Sequence, residues 1–172
     1  MTVTLEQCAE LLRDADRILI LSHQYPDGDT LGSASGLCRA LQKMGKRARC
    51  ECADEIGPRY RYLYSGVEPD QFDPAFIMSV DVADSKLLGR LESAYAGKIR
   101  LAIDHHGSHV PFAEYEYVDS TAAAACEIIP ALLGLLGVEI DSQIANSLYT
   151  GITTDTGCFR YPNATPATYR TA

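Results

Sequence analysis

Six residues of the 172-residue chain have the types and spacing to gather divalent cations: His23, Asp27, Asp29, Asp81, His105 and Asp155. The first three fall in one short run, His23-Gln-Tyr-Pro-Asp-Gly-Asp29, which offers one imidazole and two carboxylates. Pro26 stiffens this turn and Gly28 permits tight backbone geometry. Mixed imidazole and carboxylate donors suit Mn2+, Zn2+ or Fe2+ better than Ca2+, which takes oxygen ligands. Each residue also has an ordinary reading. A Pro-Asp-Gly-Asp run is commonly a solvated turn, and Asp81 can cap the segment that follows it. Asp104-His-His106 can be a surface cluster, and Asp155 can be a polar residue at a helix end. Their joint occurrence, in order and each after an apolar strand or helix, is what points to metal chemistry.

The elements that must position these residues can be read from the apolar pattern. Arg17–Ser22, Ala75–Val80 and Lys98–Ile103 are compact apolar runs of the kind found in buried parallel strands. His23, Asp81 and the pair Asp104-His105 follow them directly. Ligands of open α/β sheets bind beyond the carboxyl ends of the strands, so three strands bring donors to one edge. Arg47–Cys52 and the shorter Glu114–Val118 read as further strands. Thr4-Leu-Glu-Gln7 has capping-box spacing and opens a helix to about Ala15. A second helix is expected from about Thr30 to Met44, stopped by Gly45, and a third over roughly Ser85–Tyr95. The second helix points its N-terminal amides at the same edge, which favours a bound phosphate. The fold class is therefore α/β: a mostly parallel sheet with helices on both faces.

The later part reads as more helical. Asp119-Ser-Thr121 can cap a helix running towards Gly137, with Pro130 expected to kink or split it. Asp141 or Ser142 caps another, whose Ile144, Leu148 and Ile152 share a face and which delivers Thr153-Thr-Asp155-Thr-Gly157. No internal repeat or linker interrupts residues 1–172, which read as one domain. Pro166–Ala172 reads as the first turn of a further helix cut short, so a longer natural protein is expected.

Composition narrows the function classes. The net charge of −8, with no Lys/Arg block, argues against a non-specific grip on long nucleic acid. It is compatible with bound cations that neutralise the acidic residues. There is no apolar run long enough for a membrane helix and no signal-peptide pattern, so a cytoplasmic location is the expectation. The six cysteines form no C-x-x-C pair and are expected to be small, buried, reduced thiols.

Four segments carry a more specific resemblance: His23–Ser33, Ser79-Val-Asp81, Ile103-Asp-His-His106 and Thr153-Thr-Asp-Thr-Gly157. Together they resemble the four motifs of the DHH phosphoesterase superfamily, over nearly the whole chain. Leu148–Arg160 is most similar to the branch of bifunctional oligoribonucleases and 3′-phosphoadenosine 5′-phosphate phosphatases. The resemblance implies two divalent cations, with Mn2+ favoured. It implies one metal held by His23, Asp27 and Asp81, and another by Asp29, Asp81, His105 and Asp155, with Asp81 bridging. His106 would face the substrate phosphate and assist the leaving group, and Asp104 would orient a ligand histidine. Arg160 reads equally as a phosphate contact and as a surface arginine. Ser33 and Cys158 lie near the motifs and read as structural.

The chain departs from the family at His109, where many relatives have asparagine; an extra substrate contact and a tolerated replacement both remain open. It also lacks the second, C-terminal, glycine-rich and basic domain that binds substrate in the family. The expected substrate is a short oligonucleotide or a nucleotide phosphate, and a homodimer is left open. The alternatives are another DHH-type hydrolase, such as an inorganic pyrophosphatase or cyclic-dinucleotide phosphodiesterase, and a non-catalytic metal-binding regulatory domain.

Overall fold

A computed structural model describes all residues from Met1 to Ala172. The hydrophobic runs become a five-stranded, wholly parallel sheet of β1 (Ile18–Ser22), β2 (Ala48–Cys52), β3 (Phe76–Val80), β4 (Leu101–Asp104) and β5 (Tyr115–Val118). The strand order is β2-β1-β3-β4-β5. The direction of strand addition reverses between β1 and β3, which is where open α/β sheets form a ligand crevice. Every residue of β1 and β3 is buried, because both faces of these central strands are covered.

The cover is uneven. Helices α1 (Leu5–Asp14), α2 (Gly28–Lys43), α4 (Ala125–Leu136) and α5 (Ser142–Asp155) pack with Ile18, Ile20, Met78, Val80, Leu101 and Ile103 into the main core. The other sheet face is smaller. Leu19, Leu21 and Ile77 meet Leu88, Leu91 and Ile99 there, beside the short helix α3 (Glu92–Tyr95). A last helix, α6 (Pro166–Thr171), is capped by Thr165. No helix is long and apolar enough to cross a membrane.

Local chemistry explains where the helices begin. The capping box of α1 forms as expected, with Thr4 Oγ1 accepting from Gln7 N and Gln7 Oε1 accepting from Thr4 N. Asp141 caps α5 by accepting from the amides of Gln143 and Ile144. Helix α2 begins at Gly28 rather than Thr30, because Asp27 is its N-cap and accepts from the Asp29 and Thr30 amides.

Four sequence expectations are corrected. Residues 85–95 do not form one α-helix: a 3-10 helix over Ser85–Leu91 precedes α3, and Gly89 breaks it at φ +56°. A Cβ at Gly89 would lie 2.6 Å from Gln24 Oε1, in the loop after β1. Asp119 does not cap α4; it closes its own turn with Thr121, and α4 starts later, at Ala125. Pro130 does not split α4, which runs on to Gly137 in the left-handed conformation. Cys158 is exposed, unlike the buried Cys8, Cys38 and Cys126; all six thiols are free.

Candidate metal centre

The carboxyl ends of β1, β3 and β4 and the C-terminus of α5 converge on one cluster. His23 lies just beyond β1. Its Nδ1 is 2.7 Å from the Gln24 carbonyl, which fixes the ring and turns Nε2 towards the acids. Nε2 is 3.6 Å from Asp81 Oδ2 and 3.8 Å from Asp27 Oδ1. His105, just beyond β4, repeats the arrangement with Nδ1 3.3 Å from the Ala122 carbonyl. Its Nε2 faces Asp81 Oδ1 at 3.3 Å, Asp155 Oδ2 at 3.4 Å and Asp29 Oδ2 at 3.7 Å.

Asp81 stands between the two imidazoles. It follows β3 with φ +57°, a left-handed conformation that few residues other than glycine, asparagine and aspartate adopt readily. That turn lies where the two histidines meet the carboxylate. Asp81 Oδ1 and His105 Nε2 are both buried and neither has a hydrogen-bond partner. Three groups of donors lie close enough to hold an ion: His23/Asp27/Asp81, Asp29/His105/Asp155 and Asp81/His105/His106.

Asp29 is tied down by a contact that local sequence does not suggest. It is fully buried, and its Oδ2 and Oδ1 accept the amides of Ala125 and Cys126 at 2.6 and 2.9 Å. The carboxylate thus serves the N-terminus of α4, whose own N-cap residue, Ala124, has no side-chain oxygen. Helix α5 brings Asp155 alongside because α2 and α5 touch through glycines. A Cβ on Gly28 would lie 2.4 Å from Thr154 Oγ1, so Gly28 serves close approach, and its φ is not positive.

The charges are strongly coupled. Burial alone would lower the pKa of His23, but Asp81, the Gln24 carbonyl and Asp27 outweigh it and push it up to about 9. His105 is likewise raised to about 9, with Asp81, Asp29 and Asp155 outweighing burial. Burial and the neighbouring Asp81 and Asp27 raise Asp155 to about 6. Burial, Asp81 and Asp155 raise Asp29 as well. Burial would raise Asp81 too, but the two imidazoles hold it below the usual carboxylate range.

Asp104 and His106 sit beside the cluster in a different relation. Asp104 is buried, and its Oδ1 accepts from the His105 amide and lies 2.8 Å from His106 Nδ1. It therefore orients the ring of His106, whereas the Ala122 carbonyl orients that of His105. The His106 side chain remains 41% exposed, so its Nε2 is the ring nitrogen left free. Arg160 is exposed and its Nε donates to the Gly157 carbonyl. Ser33 is buried and donates to the Asp29 carbonyl. Sequence reasoning left His109 open and did not single out Glu116. Both are buried side chains, joined at 2.9 Å.

Known proteins bear on this arrangement. The family model described as "DHH family, N-terminal domain" matches residues 17–152. A Thermus thermophilus protein named bifunctional oligoribonuclease and PAP phosphatase NrnA is 38% identical over 95% of this chain and 51% of its own length. The Bacillus subtilis protein of the same name is 29% identical over 91% of this chain and 51% of its length. The chain thus spans about half the length of the curated relatives it matches. Among solved structures, an exopolyphosphatase-related protein from Bacteroides fragilis superposes with a TM-score of 0.83 at 23% identity, over 97% of this chain and 54% of that one. The exonuclease RecJ bound to manganese gives a TM-score of 0.59 at 17% identity, over 92% of this chain and 43% of that one. On the family match over residues 17–152, the chain belongs to the DHH family, as its N-terminal domain.

Proposed function

We propose that residues 1–172 are the metal-binding, catalytic half of a cytoplasmic phosphoesterase. It would hydrolyse phosphoester bonds in short oligoribonucleotides and in 3′-phosphoadenosine 5′-phosphate. The observation that carries this reading is the pair of oriented imidazoles, His23 and His105, that share Asp81 between them. The donor set fits two divalent cations. Asp27, Asp29, Asp81 and Asp155 carry four negative charges, which two such ions match, and the unpartnered Asp81 Oδ1 and His105 Nε2 are the atoms an ion would satisfy. In this reading His23, Asp27 and Asp81 hold one ion and Asp29, Asp81, His105 and Asp155 the other. Mn2+ suits the mixed donors, and a protein of the same fold is described as manganese-bound.

Bound in pairs, such ions lower the pKa of a water and neutralise charge on a phosphoryl group. The chain's own residues do the rest. His106, held by Asp104, offers Nε2 to the substrate phosphate and a proton to the leaving oxygen. Asp104 raises the pKa of His106, which favours the protonated ring. Arg160 is a further phosphate contact in this reading. No side-chain nucleophile is needed. Much of the substrate choice is assigned to a second domain, in keeping with relatives about twice as long.

The test is hydrolysis of a short oligoribonucleotide, 3′-phosphoadenosine 5′-phosphate, pyrophosphate and a cyclic dinucleotide by the full-length protein with Mn2+. The first two should be cleaved, and residues 1–172 alone should cleave them poorly. Release of phosphate from pyrophosphate only would sink the substrate assignment.

Metal binding should also oppose the pH dependence of stability. His23 and His105 have folded values of about 9 against 6.5 unfolded. Their contribution is fully present below pH 6.5 and is lost as pH rises through 9. Asp155, raised to about 6 from 3.8, contributes below 3.8 and loses that contribution as pH rises through 6. The chelator-treated protein should therefore lose thermal stability from about pH 5 to pH 9. The ions must displace protons from both imidazoles, so the gain in Tm from Mn2+ should be larger at pH 8 than at pH 6. Thermal melts with EDTA or Mn2+ at each pH measure this, and a Mn2+ gain that is larger at pH 6 would contradict the ligand assignment.

A further inference from the structure

Behind His106 lies a row of buried polar groups that the metal centre does not use. Asp104 Oδ1 faces His106 Nδ1 at 2.8 Å, and Asp104 Oδ2 faces His109 Nδ1 at 2.6 Å. The other nitrogen of that ring, His109 Nε2, lies 2.9 Å from Glu116 Oε2. Glu116 Oε1 in turn accepts the amides of Phe112 and Ala113 at 2.7 and 2.6 Å. The Asp104, His109 and Glu116 side chains are 0%, 5% and 6% exposed. His106, at the end of the row, is the member that reaches solvent.

Two physical points give the row a direction. Carboxylates only accept hydrogen bonds, so Asp104 needs a donor on each oxygen to hold its plane. His105 N and His106 Nδ1 serve Oδ1, and His109 serves Oδ2. Without His109 a buried carboxylate oxygen would lose its donor and the group could rotate away from His106. Further, the connection from β4 to β5 has no helix, so its shape depends on side-chain anchors. Glu116 is such an anchor, and an imidazole spans from it to Asp104. Asparagine, with one amide edge, can donate to Asp104 but does not bridge two carboxylates in this way.

We infer that His109, held from behind by Glu116, is a positioning residue that fixes the ring of His106 through the Asp104 carboxylate. Its kinetic consequence rests on the phosphoesterase reading of His106. The competing role is a loop staple with no effect on His106.

The experiment compares His109→Ala, His109→Asn, Glu116→Gln, His106→Ala and the His106→Ala/His109→Ala pair in the full-length protein. His109→Ala should lower kcat on a short oligoribonucleotide by about 10- to 100-fold, the scale of losing a residue that supports an active-site ligand. KM and the number of Mn2+ ions bound by calorimetry should stay near wild type. His109→Asn, which keeps a donor to Asp104, should recover most of the loss. In the His106→Ala background His109→Ala should cost less than about twofold, because the two act as a unit.

A second readout does not need turnover. In long-range proton–nitrogen spectra the His106 Nδ1–H signal should persist in the wild type and His109→Asn, and broaden into solvent exchange in His109→Ala. An equal kcat loss with and without His106, or an unchanged His106 signal in His109→Ala, would overturn the inference. Should His109→Ala fail to fold, His109→Leu, which fills the space but offers no donor to Asp104, carries the same two readouts, whereas Glu116→Gln, whose amide can still face His109 Nε2, should leave both near wild type. A wild type inactive on every phosphoester would sink the functional reading, while the His106 signal would still decide the positioning role.

Discussion

Replacing Asp81 by asparagine is expected to lower kcat/KM by about 10^3-fold or more, the scale of losing a principal electrostatic stabiliser in an active site. Asp81 is the one carboxylate that faces both His23 and His105, so its charge serves both halves of the centre. Asparagine is the informative substitute. Asp81 sits at φ +57°, and asparagine tolerates the left-handed region about as well as aspartate does. Asp81→Ala would mix loss of the ligand with backbone strain, whereas Asp81→Asn removes charge alone. The variant should still unfold cooperatively in EDTA but lose most of the Tm gain that Mn2+ gives the wild type. Retention of activity within tenfold of wild type would rule out a bridging role.

Gly151→Ala is expected to give a large loss of stability for a single added methyl. An added Cβ would lie 2.2 Å from Cys126 Sγ and 2.7 Å from Asp29 Oδ1. Asp29 cannot withdraw, because the Ala125 and Cys126 amides hold both of its oxygens. Helix α5 must then shift outward and carry Asp155 with it. Overpacking of this kind costs about 1–3 kcal/mol. The ion assigned to Asp29, His105 and Asp155 should be lost from calorimetric titrations while the His23 side still binds. Gly134→Ala is the control: that glycine is exposed in α4 and a Cβ would meet nothing within 4 Å. There the added methyl should stabilise by about 0.4–1 kcal/mol, by restricting the unfolded chain. Similar Tm values for the two variants would contradict the packing described at the α2–α5–α4 junction.

These two positions show what was legible in the sequence. The strands and their donors are local features: an apolar run ends, and His23, Asp81 or His105 comes next. Residue type and strand end together sufficed to bring them to one edge. The parallel sheet and the caps by Thr4 and Asp141 were legible for the same reason. What the sequence concealed depends on partners far along the chain. Asp29 clamps amides nearly a hundred residues away, and Gly28 is required by Thr154 and not by its own turn. The helix expected over 85–95 breaks at Gly89, which takes a backbone conformation (φ +56°) that residues with a side chain rarely adopt. Asp104 is expected to orient a ligand histidine; its carboxylate faces His106 Nδ1 and accepts from the His105 amide, while the Ala122 carbonyl faces His105 Nδ1. His109 was visible only as a departure from the family pattern; Glu116, its buried partner on β5, gave no local signal.

The measurement that decides most is anomalous diffraction at the manganese edge from crystals of the full-length protein grown with Mn2+. Two ions per chain are predicted, one among His23, Asp27 and Asp81 and the other among Asp29, Asp81, His105 and Asp155, with Asp81 contacting both. A single ion, or two ions that do not share Asp81, would contradict the centre described here.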